Sequence, residues 1–308
     1  MPMTSALDWL ERRTFHHSQF PTSRVAAERE ASVSICLPAR DEAATIGPIL
    51  RSLMPLLNAG VVDQIVVVDD SSDGTAAIAA GLGAEVYDQS SLRPEMGPVQ
   101  GKGDAMWRAL TVLRGDVVCY LDADSSAFGE HFACGLVGPV ACAPSVQFAK
   151  GTYRRPFRIG ERCVPDGGGR VTELTARPLL NAFFPELAGF LQPLAGEIAV
   201  RRSLLESLPF VTGYGVDVAL LIDAWRAVGL EGMAQVDLDV RQNAHQPLRD
   251  LAPMACAVLQ AVASRLVADG RLAIAPEEIA LLPGATGLDV TVARSPQRPP
   301  MASVALGV

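Results

Sequence analysis

Two aspartates separated by one residue, Asp122 and Asp124, close the stretch GDVVCYLDADS at residues 115–125. Carboxylate oxygens are the ligands that hard divalent cations such as Mg²⁺ and Mn²⁺ prefer, and these cations bind diphosphates readily. Residues 117–121 are short, β-branched or aromatic with one cysteine, which reads as a strand buried on both faces of a parallel sheet. Side chains at i and i+2 of a strand point the same way, so both carboxylates can face one spot beyond its end. Ligands in open α/β sheets bind at the carboxyl ends of strands. The pair therefore reads as a metal–diphosphate site, in preference to a solvated strand exit.

Two more acidic strand ends accompany it, Asp41-Glu42 after PAR and Asp69-Asp70 after IVVV. Their side chains can accept hydrogen bonds from a uracil edge and ribose hydroxyls. Lys102 stands between Gly101 and Gly103 just ahead of a helix, where an ammonium can reach a phosphate. In the second half, residues 150–177 hold seven basic residues against three acidic ones, a net +4 inside a chain of net charge −8. The run Gly167-Gly168-Gly169-Arg170-Val171-Thr172 sits within it. Glycines allow close backbone approach, Thr172 lies at an expected helix start, and a guanidinium can grip a phosphate or carboxylate in a fork.

The elements that must position these groups alternate. Residues 32–37 and 64–68 read as buried strands, 85–87 as a short one, and 43–57 and 104–113 as helices. The 43–57 stripe carries Ile46, Ile49, Leu50, Leu53 and Leu57. This βαβα order predicts an α/β fold with a doubly wound, mostly parallel sheet. Residues 5–14 read as a short helix packed on the outside, and His16 and His17 as solvated side chains of a polar lead. The expected division is a helical lead over 1–31, a nucleotide-sugar half over 32–130, an acceptor half over 131–250, and a helix and irregular tail over 251–308.

Composition bounds the partners. With 308 residues, 49% hydrophobic and 19% charged, the chain has ample core for a globular protein. A net charge of −8 argues against nucleic acid or an anionic membrane as partner. The charged first 20 residues do not read as a signal peptide, and the uncharged run 132–149 is interrupted by Pro139 and Pro144. The expectation is a cytoplasmic protein with no membrane partner. Its six cysteines are widely spaced without a C-x-x-C, which suits reduced thiols better than disulfides or zinc.

The motifs at 38–42, 68–75, 101–110 and 115–124 resemble GT-A glycosyltransferases. More specific are GGGRVTELTARPLLNAFFPEL at 167–187, LQPLAGE at 191–197, SLPFVTGYGVD at 207–217 and QVDLDVR at 235–241. These resemble glucosyl-3-phosphoglycerate synthases, and the resemblance covers roughly 33–251. It implies a GT-A fold and retaining transfer of a hexose from a nucleotide diphosphate sugar, UDP-glucose favoured, to D-3-phosphoglycerate. It also implies Mg²⁺ or Mn²⁺ and a homodimer, with the C-terminal tail as a dimer contact.

Carried onto this sequence, the resemblance places the donor on Pro38, Ala39, Asp41, Glu42 and Ser71, and on Lys102, Asp122, Ala123 and Tyr214. Asp217, the Leu194 carbonyl and Lys102 are the implied catalytic groups. Gly169, Arg170, Thr172 and His245 are implied for the acceptor, and Asp124 with His245 for the metal. Two departures stand out. Asp217 occupies a position where the family usually has glutamate, shortening the reach by one methylene. Asn243 and His245 exchange the family's histidine and asparagine after Arg241. Asp223 reads as a surface residue and His131 as a helix-start residue.

Competing classes are separable. A nucleotidyltransferase should have a glycine-rich loop with arginine after the first strand, and PARDE stands there instead. A polyprenyl-phosphate glycosyltransferase should carry a membrane anchor. A non-catalytic nucleotide-sugar-binding relative would bind donor without hydrolysis or transfer. Glucose and mannose, or uridine and guanosine, remain open alternatives at this level.

Overall fold

The computed structural model describes residues 2–159, 162–164, 167–242, 246–274, 276–277, 279–283, 288–292 and 296–304. The chain opens with helix α1 (Pro2–Arg13), strand β1 (Thr14–His16) and helix α2 (Thr22–Glu28). A regular alternation follows: β2 (Val33–Ala39), α3 (Ile46–Leu53), α4 (Pro55–Asn58), β3 (Gln64–Asp69), α5 (Thr75–Gly81), β4 (Glu85–Asp88), α6 (Lys102–Ala109) and β5 (Val117–Tyr120). The second half contributes α7 (His131–Ala141), β6 (Phe148–Arg154), the hairpin β7 (Phe157–Ile159) and β8 (Arg162–Val164), and α8 (Arg177–Phe183). Next come β9 (Ile198–Arg201), α9 (Arg202–Ser207), β10 (Phe210–Val211), α10 (Val216–Val228), β11 (Met233–Val240) and α11 (Leu251–Ala268). Strands β12 (Ile279–Pro283), β13 (Leu288–Val292) and β14 (Gln297–Arg298) end the described chain.

Eight strands form one sheet in the order β1-β11-β6-β9-β5-β2-β3-β4. Every neighbouring pair is parallel except β5–β9 and β6–β9. The sheet is thus mostly parallel, as the alternation predicts, with one reversed strand at its centre. Periodicity alone does not reveal that strand's direction, because Ile198–Val200 are buried whichever way it runs.

Along β5, Val117, Cys119 and Leu121 face one hydrophobic cluster with α3 and α7, and Val118 and Tyr120 face the other with α6 and α10. Burial on both faces explains the continuous apolar run. Several elements differ from expectation. The 43–57 helix starts at Ile46 and restarts at Pro55, because proline cannot continue the hydrogen-bond ladder. Helix α1 is not merely an outer layer: Trp9 is fully buried against Phe190, and its indole donates to the Leu230 carbonyl at 2.8 Å. Asp223 is not on the surface. It is buried and paired with Arg265 at 2.6 Å, joining α10 to α11.

Candidate active site

The carboxyl ends of β5 and β11, the amino end of the antiparallel β9 and the starts of α6 and α10 bring their charged side chains to one place. Asp122 follows β5 and receives two cations, Lys102 Nζ at 2.8 Å and Arg241 Nη2 at 3.0 Å. The same Nη2 lies 2.5 Å from Asp124 Oδ1. Both aspartates therefore face one spot, and that spot holds positive charge. Lys102, the first residue of α6, also reaches Asp217 in the first turn of α10 at 3.2 Å. Arg241 also lies 3.0 Å from Glu197, whose other oxygen accepts from the Tyr153 hydroxyl at 2.8 Å.

This lattice is largely buried, with Arg241 and Glu197 nearly inaccessible and Asp124 half-exposed at its mouth. Burial opposes the Lys102 charge, but Asp122 and Asp217 outweigh it and hold the ammonium's pKa above its usual value. Burial likewise opposes the Asp122 charge, yet Lys102 and Arg241 hold its carboxyl below the usual range. Asp217 and Glu197 move upward through burial, despite those same cations. Glu42 also moves upward, through burial and then the charges of Asp124 and Asp122, which places the first strand end beside the pair.

Gly196 is required by this packing. A Cβ there would meet Lys102 Nζ at 2.2 Å and Asp122 Oδ1 at 2.3 Å, so any side chain would displace the ion pair. Gly103 is required by backbone: its Cβ would lie 1.8 Å from the Val211 carbonyl oxygen. The loops after β2 and β3 are cross-tied. Asp41, at φ 58°, accepts from the Ser72 amide, and its own amide donates to Ser71 Oγ. Ala39 and Ala123 are buried at their strand ends, and Pro38 pairs in register with Val68 on β3. Leu194 packs against the core next to Ala195, and Tyr214 is exposed.

Beside the 167–172 glycine run, a cleft of about 440 Å³ is lined by Tyr153, Arg155, Gly168, Glu173 and Gln192, among others. Arg155 lies over the Tyr153 ring at 5.5 Å. Gly169 takes φ 72°, in the left-handed region. The helix that follows starts at Arg170, ahead of the expected Thr172, and widens to π geometry over Thr172–Ala176 before α8. Thr172 is buried, and Arg170 Nη2 donates to the Gln246 carbonyl at 2.5 Å. His245 and Asn243 lie outside the described residues.

Not all of the basic segment faces an anion. Arg177 pairs with Glu173 at 2.7 Å, and Lys150 is buried, donating to the Ala195 carbonyl at 2.7 Å. Lys150 thereby ties the 191–197 loop to the sheet. Sequence reasoning left out Lys150, Tyr153 and Arg241 as site residues. The one available signal was a lysine inside the strand FAKGTYR, between Ala149 and Gly151.

Burial pushes the Lys150 ammonium down to about 8. Between that value and the ordinary lysine range near 10.4 the unfolded chain binds more protons than the folded one, so this residue's contribution rises with pH there. Relative to Lys150→Met, the parent protein should gain up to about 3 kcal/mol of stability between pH 7.5 and 10.5, from a shift of roughly 2.5 units. Paired denaturant melts across that range measure it, and a constant difference would mean that Lys150 titrates normally.

Residues 34–135 match the family model Glycosyl transferase family 2. The glucosyl-3-phosphoglycerate synthase of Mycolicibacterium smegmatis is 40% identical over 259 residues, covering 83% of this chain and 85% of that protein. The crystal structure of mannosyl-3-phosphoglycerate synthase from Rubrobacter xylanophilus superposes with a TM-score of 0.87 at 47% identity, covering 96% of this chain and 97% of that one. The glucosyl-3-phosphoglycerate synthase from Mycobacterium tuberculosis, solved with Mn²⁺, UDP-glucose and phosphoglyceric acid, gives 0.83 at 37% identity, covering 94% and 97%. With a mostly parallel GT-A sheet and a two-aspartate site at the end of its central strand, the chain belongs to the glucosyl-3-phosphoglycerate synthase family of glycosyltransferases.

Proposed function

We propose that this enzyme moves glucose from UDP-glucose to the hydroxyl of D-3-phosphoglycerate, with retention at the anomeric carbon. The observation that carries the reading is the shared ion lattice, in which Lys102 and Arg241 draw Asp122, Asp124 and Asp217 together beside the glycine-walled cleft.

A guanidinium nitrogen between Asp122 and Asp124 shows that their oxygens converge on positive charge, so this donor set fits a hard divalent cation. Asp124, with Asp122 beside it, would hold Mg²⁺ or Mn²⁺, and His245 is the further candidate ligand. Bound there, the cation would neutralise diphosphate charge. Pro38, Ala39, Asp41, Glu42, Ser71 and Ala123 would frame the nucleoside, and Tyr214 and the Leu194 carbonyl the hexose.

Lys102 is protonated and preorganised, so it stabilises charge that grows on the leaving diphosphate oxygen. Glu197 is held by Arg241 and Tyr153, and Asp217 by Lys102, so neither carboxylate stands free as a base for the acceptor hydroxyl. Asp217 instead orients hexose hydroxyls and faces the positive charge that develops at the anomeric carbon. The leaving oxygen takes the acceptor proton on the same face of the sugar, which gives retention without a covalent glycosyl-enzyme.

The test is a panel of UDP- and GDP-linked glucose and mannose, with and without D-3-phosphoglycerate, followed by proton NMR of the product. An α-glucoside formed only with the acceptor is expected, and a β-glucoside would defeat the mechanism. A second reading, mannosyl transfer, is favoured by the 47% identity to a mannosyl-3-phosphoglycerate synthase. Preferential use of a mannose donor would establish it.

Gly169, Arg170, Thr172 and His245 would bind the acceptor anion. A charge-assisted pair contributes about 1.5–3 kcal/mol. Arg170→Ala should therefore raise KM for D-3-phosphoglycerate roughly ten- to a hundredfold while leaving the donor KM nearly unchanged. Equal effects on both substrates would make Arg170 structural.

The reading extends to a cytoplasmic homodimer with no membrane partner. Five described cysteines are free thiols. Among the described residues one helix, 248–268, is long and apolar enough to cross a membrane. Its Arg265 is buried in the pair with Asp223, which suits a core helix. Exposed Leu259, Ile274, Val290 and Val292 around it suit a second copy of the chain. Light scattering in solution tests this, with a monomer as the adverse result.

A further inference from the structure

Three of the chain's four histidines meet at the edge of the sheet where β1 pairs with β11. The His16 and His17 rings lie 4.4 Å apart, and His131, the first residue of α7, lies 4.6 Å from His17. His16 is half-exposed, as expected of a solvated side chain, whereas His17 is largely covered. His17 Nε2 is 2.7 Å from one oxygen of Asp239, and His16 Nε2 is 3.5 Å from the other.

Asp239 reaches them from a bulge in β11 between Asp237 and Val240, at φ 67°. That left-handed conformation is uncommon for a residue other than glycine. Here it turns a carboxylate toward two imidazoles, and the ligand atoms of all three residues lie within 4.8 Å of one another. Donors bound to one borderline cation at about 2.0–2.2 Å stand roughly 3–3.5 Å apart. The separations of 2.7 and 3.5 Å span that spacing.

The surroundings match as well. His16 Nδ1 accepts from the Ser18 amide at 3.2 Å and lies 2.7 Å from Ser18 Oγ, which tethers the ring; ligation through Nε2 requires the Nδ1–H tautomer, with Ser18 Oγ as its acceptor. Arg154 Nη2 approaches Asp239 only to 4.0 Å on a largely exposed side chain, which can swing aside.

We propose that His16, His17 and Asp239 form a second divalent-cation site, of the imidazole–carboxylate class that selects Zn²⁺, Co²⁺ or Ni²⁺, separate from the diphosphate cation at Asp124. Occupied, the site clamps β1 to β11 two residues ahead of Arg241.

The test is titration of the chelator-stripped full chain with Zn²⁺ alone, read by calorimetry, bound metal and Tm. One Zn²⁺ per chain and a higher Tm are expected, with both retained in Asp124→Ala. His17→Gln and the double variant His16→Ala/His17→Ala should lose at least tenfold in Zn²⁺ affinity and the Tm rise. Both variants should still bind UDP with Mn²⁺, which shows that they are folded. The proposal is overturned if the parent binds no Zn²⁺, if the histidine variants bind it equally, or if Asp124→Ala alone removes it.

Discussion

Asp124→Ala should fold normally and lose both sugar transfer and the Mn²⁺-dependent part of UDP binding. The side chain is 42% exposed, so its removal opens no core cavity. What disappears is one of the two carboxylates that converge on positive charge at the end of β5. A divalent cation at a diphosphate supplies several kcal/mol of charge stabilisation in the transition state. Losing most of that should lower kcat on the order of a thousandfold. Asp122 cannot substitute, because Lys102 and Arg241 already share its oxygens. Turnover and Mn²⁺ titrations against the parent protein decide the matter, and unchanged metal dependence would remove Asp124 from the cation site.

Arg241→Met should have the largest effect on stability. The methionine keeps much of the apolar stem and deletes the one group that bridges Asp122, Asp124 and Glu197. Breaking a buried pair by removing one partner typically costs about 3–5 kcal/mol, because the other charge is left uncompensated. Glu197 is the exposed point of this argument. Its carboxyl already sits above the usual value through burial, and Arg241 is the main influence opposing that rise. Without the guanidinium its folded pKa rises further above the unfolded value, so the folded variant holds a proton that the unfolded chain releases. That contribution is fully present below the unfolded pKa near 4.3 and is lost as pH climbs through the raised folded pKa. The variant's deficit relative to the parent should therefore be smaller at pH 5 than at pH 8. Urea melts at the two pH values test it, and a pH-independent deficit would show that Glu197 stays charged without Arg241.

Much of this organisation is written locally. VVCY before Asp122-Ala123-Asp124 specifies a strand buried on two faces, and alternation then places both carboxylates on one side, where they share Arg241. The IVVV strand and the acidic turn after it follow from the same short-range pattern. The glycines at 167–169 signal close approach, and the structure uses them so: a Cβ on Gly168 would lie 2.8 Å from the Arg155 carbonyl oxygen.

What the sequence by itself determined is therefore the set of chemical groups and the ends of the elements that carry them, because period-two burial, turn glycines and paired carboxylates are encoded over a few residues. Which groups meet was decided only by the tertiary structure. Lys102 and Asp217 are 115 residues apart, and Arg241 stands 119 and 117 residues from Asp122 and Asp124. Their encounter depends on β9 running antiparallel between β5 and β6, which carries the Gly196–Glu197 turn to the ends of the parallel strands. Lys150 and Arg241 read as ordinary basic residues in one dimension. Burial beside carboxylates from distant elements made one a depressed lysine and the other the bridge of the site, and burial is a property of packing that no local pattern states.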